Sequence, residues 1–251
     1  MDIQKRSLYS TFLNRTMEFM IYGSSGKPVL FIPCQSGRFY DFENFHMLDH
    51  WAQWIEDGKC MVFSVDTIDD EAWGAVNTDG RTRMLMHEKW YHHIVDEMVP
   101  LIQSFSGRTD ILPFGISMGA MHAANFYFRR PDLFDGVFAI SGLYDSVEML
   151  GDYMDDLVYD NCPVYYLANM PQDHPYMTAY THHPMLIVVG QGDWEGPLLA
   201  STRRLDRVCT EKQIPVRFEY WGLDVCHDWP WWYKMVACYM PDFLSERRLK
   251  N

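Results

Sequence analysis

Ser117 is the residue whose surroundings point most directly to chemistry. It is the centre of Gly115-Ile116-Ser117-Met118-Gly119, which follows the apolar run ILPFG and precedes an alanine-rich stretch. A serine held in a tight strand-to-helix turn needs tiny residues two positions before and after it, and the positive end of the helix dipole favours a negative oxygen there. The pattern predicts a serine nucleophile. The structural alternative is a serine that only caps the helix.

A serine nucleophile needs a base to take its proton and an acid to orient that base. Asp193 in GQGDWEG and His227 in CHDWPWW follow the last two predicted strands, in the chain order serine, acid, histidine. We therefore predict Ser117 as nucleophile, Asp193 as acid and His227 as general base. Glu195 and Asp224 are runner-up acids, because each lies within a few residues of one of these positions.

An oxyanion hole would need two backbone N–H groups near the serine, one from the residue after it and one from the loop after the third strand. Met118 supplies the first. In the segment PCQSGRFYDF we choose Gln35 for the second, with Ser36 as the alternative and Gly37 allowing a tight bend. Cys34 is interpreted as a buried thiol without a chemical role.

The elements that would position these residues are short apolar runs separated by helix-length intervals. This pattern is typical of a mostly parallel sheet covered on both faces. The runs are residues 28–34, 61–66, 111–116, 136–142, 185–190 and 216–222. Residues 7–14 and 17–23 alternate and are close together, which predicts an antiparallel hairpin ahead of the sheet and about eight strands in all. Apolar steps of three or four residues predict helices at 88–105, bent at Pro100, and at 198–209 and 232–239.

Length, composition and charge limit the classes of protein. A chain of 251 residues without a linker-like segment predicts one domain, residues 1–251, and the Asp- and Tyr-rich connection 143–184 is interpreted as an insertion or lid. A net charge of −13 disfavours nucleic acid, and the absence of a long apolar run predicts a cytoplasmic protein that does not bind membranes. The six scattered cysteines indicate reduced thiols. The paired histidines lack metal-ligand spacing, and the glycines of GQGDWEG are wrongly spaced for a dinucleotide, so we expect no metal or cofactor.

Three segments resemble a known family: GISMGAMHAANFYFRRPDLFDGVFAISGLYD, GQGDWEG and CHDWPWW. They are similar to the esterase family of the α/β-hydrolase superfamily that includes esterase D and the antigen 85 mycolyltransferases. The resemblance covers roughly residues 28–245, and its His-Asp-Trp tail is the most specific part. It implies an α/β-hydrolase fold, with Ser117 as nucleophile, His227 as base and an acid at the position of Asp193. Many members have His-Gly-Gly after the third strand, whereas this chain has CQSG.

Together these observations predict a serine-dependent hydrolase of small-molecule carboxylic esters. Transfer of the acyl group to an alcohol and a non-catalytic binding protein on the same scaffold are the alternatives, and the oligomeric state is open. Trp194, Trp229 and Trp231 are predicted to contact the substrate, with core packing as the alternative. Laying the acidic connection over an alkyl chain would desolvate its carboxylates, so we expect a preference for short or polar acyl groups.

Overall fold

The computed structural model describes residues 1–245, which contain an eight-stranded sheet. The strands are β1 (Ile3–Ser10), β2 (Arg15–Tyr22), β3 (Lys27–Ile32), β4 (Cys60–Val65), β5 (Leu112–Ile116), β6 (Val137–Ile140), β7 (Met185–Val189) and β8 (Arg217–Tyr220). Their order across the sheet is β1-β2-β4-β3-β5-β6-β7-β8. The pairs β1-β2 and β2-β4 are antiparallel, and the neighbours from β4 to β8 pair in parallel. The predicted fold class, a mostly parallel sheet with an N-terminal antiparallel hairpin, is confirmed.

Helices occupy the intervals between the strands. They are α1 (Asp41–Asn44), α2 (Met47–Glu56), α3 (Gly80–His92), α4 (Val99–Ser106), α5 (Met118–Arg129), α6 (Val147–Leu150), α7 (Asp156–Asp160), α8 (Pro163–Asn169), α9 (Tyr176–His182), α10 (Gly196–Lys212) and α11 (Trp229–Leu244). The four short helices α6 to α9 make up most of the connection 143–184.

Both faces of the sheet are covered, because side chains that alternate along each strand enter two different cores. In β3, Phe31 packs with Trp51 of α2 on one face, and Leu30 packs with residues of α3, α4 and α5 on the other. Trp232 of α11 joins the first core, and Leu205 of α10 joins the second. This two-sided burial explains why the central strands are continuous apolar runs.

The hairpin and the first long helix differ in detail from the sequence prediction. Ser10 pairs with Arg15, so the turn is formed by residues 11–14 and the predicted break at residues 15–16 is wrong. Asn14 ends this turn with a φ of 52°, a conformation that asparagine tolerates. The helix predicted from residue 88 starts at Gly80, and a π-helical segment precedes Pro100, whose ring cannot fit beside a regular α-helical turn.

Glu97 ties the turn of the hairpin to the helical layer. Its carboxylate accepts hydrogen bonds from the backbone N–H of Thr11 at 2.8 Å and from His93 at 2.7 Å. Burial favours the neutral carboxyl, but the hydrogen bonds from Thr11 and His93 outweigh burial and lower the pKa of Glu97 to about 2. A pKa below that of the unfolded chain means that ionised Glu97 stabilises the fold.

We expect Glu97→Gln to lower the free energy of unfolding at neutral pH by an amount that disappears in acid. The contribution of Glu97 is fully present above its unfolded pKa of about 4.5 and is lost as the pH falls toward about 2. Urea unfolding of both proteins at about pH 7 and about pH 3 measures it. An equal difference in stability at both pH values would contradict the prediction.

Candidate active site

Ser117 lies in the turn between β5 and α5, at the carboxyl edge of the sheet. Its φ of 57° and ψ of −122° are backbone angles that side-chain-bearing residues rarely adopt. A Cβ atom at Gly115 would lie 2.0 Å from the carbonyl oxygen of Gly119, and one at Gly119 would lie 2.1 Å from that of Ile32. Both glycine positions therefore exclude any larger residue, which is the physical reason for the G-x-S-x-G spacing.

His227 approaches Ser117 from the loop between β8 and α11. Its Nε2 atom lies 2.9 Å from Ser117 Oγ, which is hydrogen-bond distance. The backbone N–H of His227 donates to the carbonyl oxygen of Asp193 at 3.0 Å, so this loop is joined to the loop after β7. The imidazole also packs against the indole of Trp232, with ring centroids 4.8 Å apart and the planes at 86°. The structure thus brings together the predicted serine and histidine.

The carboxylate beside His227 belongs to Glu195, a runner-up acid of the sequence analysis, and not to Asp193. Glu195 Oε1 lies 3.4 Å from His227 Nδ1, and the Glu195 side chain is fully buried. The side chains of Asp193 and Asp224 are exposed to solvent. Asp193 contacts His227 only through its backbone carbonyl in the hydrogen bond given above.

A tight turn explains why the side chain of Glu195, and not that of Asp193, lies beside His227. The N–H of Glu195 donates a hydrogen bond to the carbonyl of Gly192 at 3.2 Å, and the N–H of Gly192 donates one to the carbonyl of Val225 at 2.8 Å. Trp194, the third residue of this turn, has a φ of 68°. The turn leaves Asp193 in solvent and places Glu195 at the start of α10, facing the sheet.

Ser141 orients the Glu195 carboxylate from the end of β6. Its hydroxyl donates to Glu195 Oε1 at 2.6 Å, and Ser141 itself is fully buried with a φ of 55°. Within residues 1–245, Glu195 Oε2 has no hydrogen-bond partner. The buried carboxylate therefore depends on Ser141 and His227 for polar contacts, and a positive charge on the imidazole would stabilise it.

The predicted oxyanion donors lie on two segments that pack together. Met118 begins α5, and the next residue, Gly119, lies against the carbonyls of Ile32 and Pro33, just before the CQSG segment. The N–H of Ser36 is directed at the Asp69 carboxylate, 3.2 Å away. Because the N–H of Ser36 already donates to Asp69, it is not free to bind an oxyanion. This favours the N–H of Gln35 as the second oxyanion donor beside that of Met118.

Cys34 is the first residue of the CQSG segment, and its side chain is partly exposed. Burial, together with the nearby Asp41 carboxylate, raises the pKa of Cys34 to about 12. A thiol with that pKa stays protonated at neutral pH and is a poor nucleophile. All six cysteines are free, as expected for reduced thiols.

The three predicted substrate-binding tryptophans have different surroundings. The Trp194 side chain is 85% exposed. Trp229 stacks on Phe45 with ring centroids 4.7 Å apart and packs edge-on against Trp232, which contacts the imidazole. The ammonium of Lys234 lies over the Trp231 ring, 4.0 Å from the ring centroid. Trp229 is therefore the predicted tryptophan linked to the imidazole by ring contacts.

The connection 143–184 packs its apolar side chains beside the start of α5. Leu143, Met149 and Leu150 join a cluster that contains Met118 and Met121. Most of its carboxylates are exposed, among them those of Asp152, Asp156 and Asp160, whereas Asp145 is buried. Asp155, which is partly buried, receives hydrogen bonds from Arg81 and from the first turn of α7. The interpretation of this segment as an insertion or lid stays a prediction.

Sequence reasoning missed two residues of this region. Ser141 follows β6, and the rule that sites form at the carboxyl ends of parallel strands would have found it. Phe45 stands in the loop between α1 and α2, where no local pattern distinguishes it from a core residue. Its stacking on Trp229 depends on two segments that lie far apart in the chain.

Neither a metal site nor a membrane-spanning helix is present in the part of the chain that the structure describes. Residues 1–245 hold no group of three or more His, Cys, Asp or Glu side chains placed to bind a metal ion. Over the same residues, no helix has the length and apolar character needed to cross a membrane.

The chain shares its sequence pattern and its fold with known proteins. The model of the family described as "Putative esterase" matches residues 10–238. No curated protein matches the chain in sequence. A ferulic acid esterase structure is 17% identical and superposes with a TM-score of 0.73 over 97% of both chains. An S-formylglutathione hydrolase from Agrobacterium tumefaciens is 14% identical, with a TM-score of 0.73 over 98% of this chain and 95% of its own. MPT51 from Mycobacterium tuberculosis is 10% identical, with a TM-score of 0.71 over 97% of this chain and 98% of its own.

Proposed function

Since the chain belongs to this esterase family and is a carboxylesterase-type hydrolase, we propose that it hydrolyses small-molecule esters with Ser117 as nucleophile, His227 as general base and Glu195 as acid. The observation that carries the proposal is the 2.9 Å contact between Ser117 Oγ and His227 Nε2. Such a contact, on a serine held at a strained turn, is the arrangement that activates a hydroxyl. It also argues against a serine that serves only as a helix cap.

The proposed reaction has two steps. As Ser117 Oγ attacks the acyl carbon, His227 Nε2 takes its proton, and the negative oxygen of the tetrahedral intermediate accepts hydrogen bonds from the backbone N–H groups of Met118 and Gln35. The imidazolium then gives its proton to the leaving alcohol, and the acyl group remains on Ser117. Water then attacks this acyl-enzyme while His227 Nε2 takes a proton from it. As the bond between the acyl carbon and Ser117 Oγ breaks, the imidazolium returns this proton to Oγ, and the carboxylic acid is released.

Glu195 is proposed as the acid because of its position and its burial. Nδ1 of the imidazole carries a proton throughout the reaction, and Oε1 of Glu195 is the carboxylate oxygen beside it. A buried carboxylate interacts more strongly with the developing imidazolium than an exposed one such as Asp193 would. The hydrogen bond from Ser141 holds the carboxylate in place.

The acyl group is proposed to be short or polar. The apolar side chains of the connection, such as Met149 and Leu150, are already packed in the cluster that contains Met118. A long alkyl chain would have to displace these contacts, and it would gain little further burial in return. The exposed face of the connection carries carboxylates, which an alkyl chain would desolvate.

We expect kcat/KM for nitrophenyl butyrate to exceed that for nitrophenyl palmitate by at least about tenfold. The rates are measured below the micelle threshold of each ester, so that interfacial binding does not contribute, and the Ser117→Ala protein supplies the background rate. A preference for palmitate would contradict the proposed acyl class. Absence of hydrolysis of every ester in a panel of rising acyl length would contradict the proposed function itself.

A further inference from the structure

Asp69 and His122 form a buried pair that the proposed reaction does not use. Asp69 Oδ1 lies 2.9 Å from His122 Nε2, and the side chains are 3% and 1% exposed. Asp69 begins the short 3-10 helix Asp69–Glu71 after β4, and His122 lies on α5. A buried polar pair often stabilises a fold no more than apolar residues of equal size would. The role of this pair is therefore sought in the segments that Asp69 and His122 hold in place.

The second oxygen of Asp69 holds the CQSG segment, residues 34–37. Asp69 Oδ2 accepts the hydrogen bond from the backbone N–H of Ser36, and the Ser36 hydroxyl donates to Asp70. Ser36 has a φ of 56°, which a serine adopts only when its surroundings enforce it. Gln35, the proposed oxyanion donor, immediately precedes Ser36 in the chain.

His122 joins Asp69 to the other oxyanion donor. Met118 begins α5 and His122 follows it by four residues, one helical turn, so both lie on the same side of a rigid helix. Helix α5 thus joins Met118 to His122, and hydrogen bonds join His122 to Asp69 and Asp69 to Ser36, beside Gln35. We propose that Asp69 and His122 are positioning residues that set the distance between the two oxyanion donors. This inference rests on the proposed function.

The His122 ring is itself held in one orientation. It stacks on His87 with centroids 5.3 Å apart and packs against Trp90 at 4.8 Å. Burial holds the pKa of His87 well below its usual range, so His87 is uncharged at neutral pH. The imidazole of His122 is therefore kept directed at the carboxylate.

Glu97 supplies a matched control within the same chain. Like Asp69, it bridges a buried histidine, His93, and the backbone N–H of a loop residue, Thr11. That bridge holds the hairpin turn and belongs to neither the oxyanion segment nor the proposed triad. Its loss should affect stability without changing the kinetic constants.

The test compares Asp69→Ala with Glu97→Ala. For Asp69→Ala we expect kcat on nitrophenyl butyrate to fall by about 10-fold to 10²-fold with KM changed less than about threefold, because a displaced oxyanion donor weakens transition-state stabilisation more than ground-state binding. The affinity for a trifluoromethyl ketone, whose adduct with a serine bears an oxyanion, should fall by the same factor as kcat/KM. Glu97→Ala should lower the urea midpoint and leave both kinetic constants and this affinity unchanged.

Two further variants separate positioning from folding. Asp69→Asn keeps an acceptor for Ser36 and a donor for His122, so we expect kcat within a few-fold of the wild type. His122→Phe keeps the ring volume and removes the hydrogen bond, so its kcat should fall in the same direction as that of Asp69→Ala, and it replaces Asp69→Ala if that protein does not fold.

The outcomes distinguish this inference from the proposed function. An active wild type whose Asp69→Ala and His122→Phe variants keep kcat and ketone affinity would overturn the positioning role alone. A fall in stability without a change in these constants would do the same. A wild type that hydrolyses no ester and does not react at Ser117 would overturn the proposed function and the positioning role with it.

Discussion

Replacing Ser117 with Ala is expected to lower kcat for ester hydrolysis by a factor on the order of 10⁴ or more. The hydroxyl is the atom that forms the acyl bond, so no other group can take its place in the proposed reaction. Binding of substrate involves many other contacts, and KM should change little. A fluorophosphonate probe should label Ser117 in the wild type and leave the Ala variant unlabelled, as read by mass spectrometry.

Ser64 provides a matched control for this substitution. It is a fully buried serine on β4 whose hydroxyl has no hydrogen-bond partner among the residues that the structure describes. Ser64→Ala should therefore leave kcat and labelling unchanged. Labelling of Cys34 or of another serine, or full activity of Ser117→Ala, would show that the nucleophile has been assigned wrongly.

The second large effect is expected for Glu195→Gln. The amide has the same shape and can still accept the hydrogen bond from Ser141, but it no longer neutralises the imidazolium and can favour the wrong imidazole tautomer. We expect kcat to fall by about 10²-fold to 10⁴-fold. Steady-state kinetics on nitrophenyl butyrate measure this fall, with urea unfolding to compare the stability of the two proteins.

The competing acids are tested by the same change from carboxylate to amide that Glu195→Gln makes, in the variants Asp193→Asn and Asp224→Asn. Both side chains are exposed, so each substitution should change kcat by no more than a few-fold. A severe loss in Asp193→Asn with near-normal activity in Glu195→Gln would return the acid to the position that the sequence suggested. A severe loss in Asp224→Asn would place it on the loop of the histidine.

The strands and the turn around Ser117 were predictable because their causes are local. Buried parallel strands need apolar side chains on both faces, so they are visible as continuous runs. The turn at Ser117 leaves no room for a Cβ atom at Gly115 or Gly119. The turn can therefore be recognised in the sequence by two glycines at fixed spacing. The hairpin was misplaced by a few residues, because its register depends on the pairing of Ser10 with Arg15.

The partner of each functional group was harder to predict. His227 could be chosen because it follows the last strand and completes the chain order serine, acid, histidine. The carboxylate beside His227 could not be chosen from the sequence. Asp193, Glu195 and Asp224 have similar chemistry, and each lies within a few residues of a position from which it could reach the imidazole. Likewise, nothing in CQSG shows that the N–H of Ser36 is bound by Asp69, which lies more than thirty residues away.

The sequence by itself determined the family, the sheet and the serine at its edge, because these depend on periodicity, on spacing and on the volume of single side chains. Only the tertiary structure decided which carboxylate faces the imidazole. A turn closed by Gly192, with Trp194 at positive φ, rotates Asp193 into solvent and buries Glu195 against Ser141. The direction of a side chain in a loop is set by contacts with distant segments, and local sequence carries little information about them.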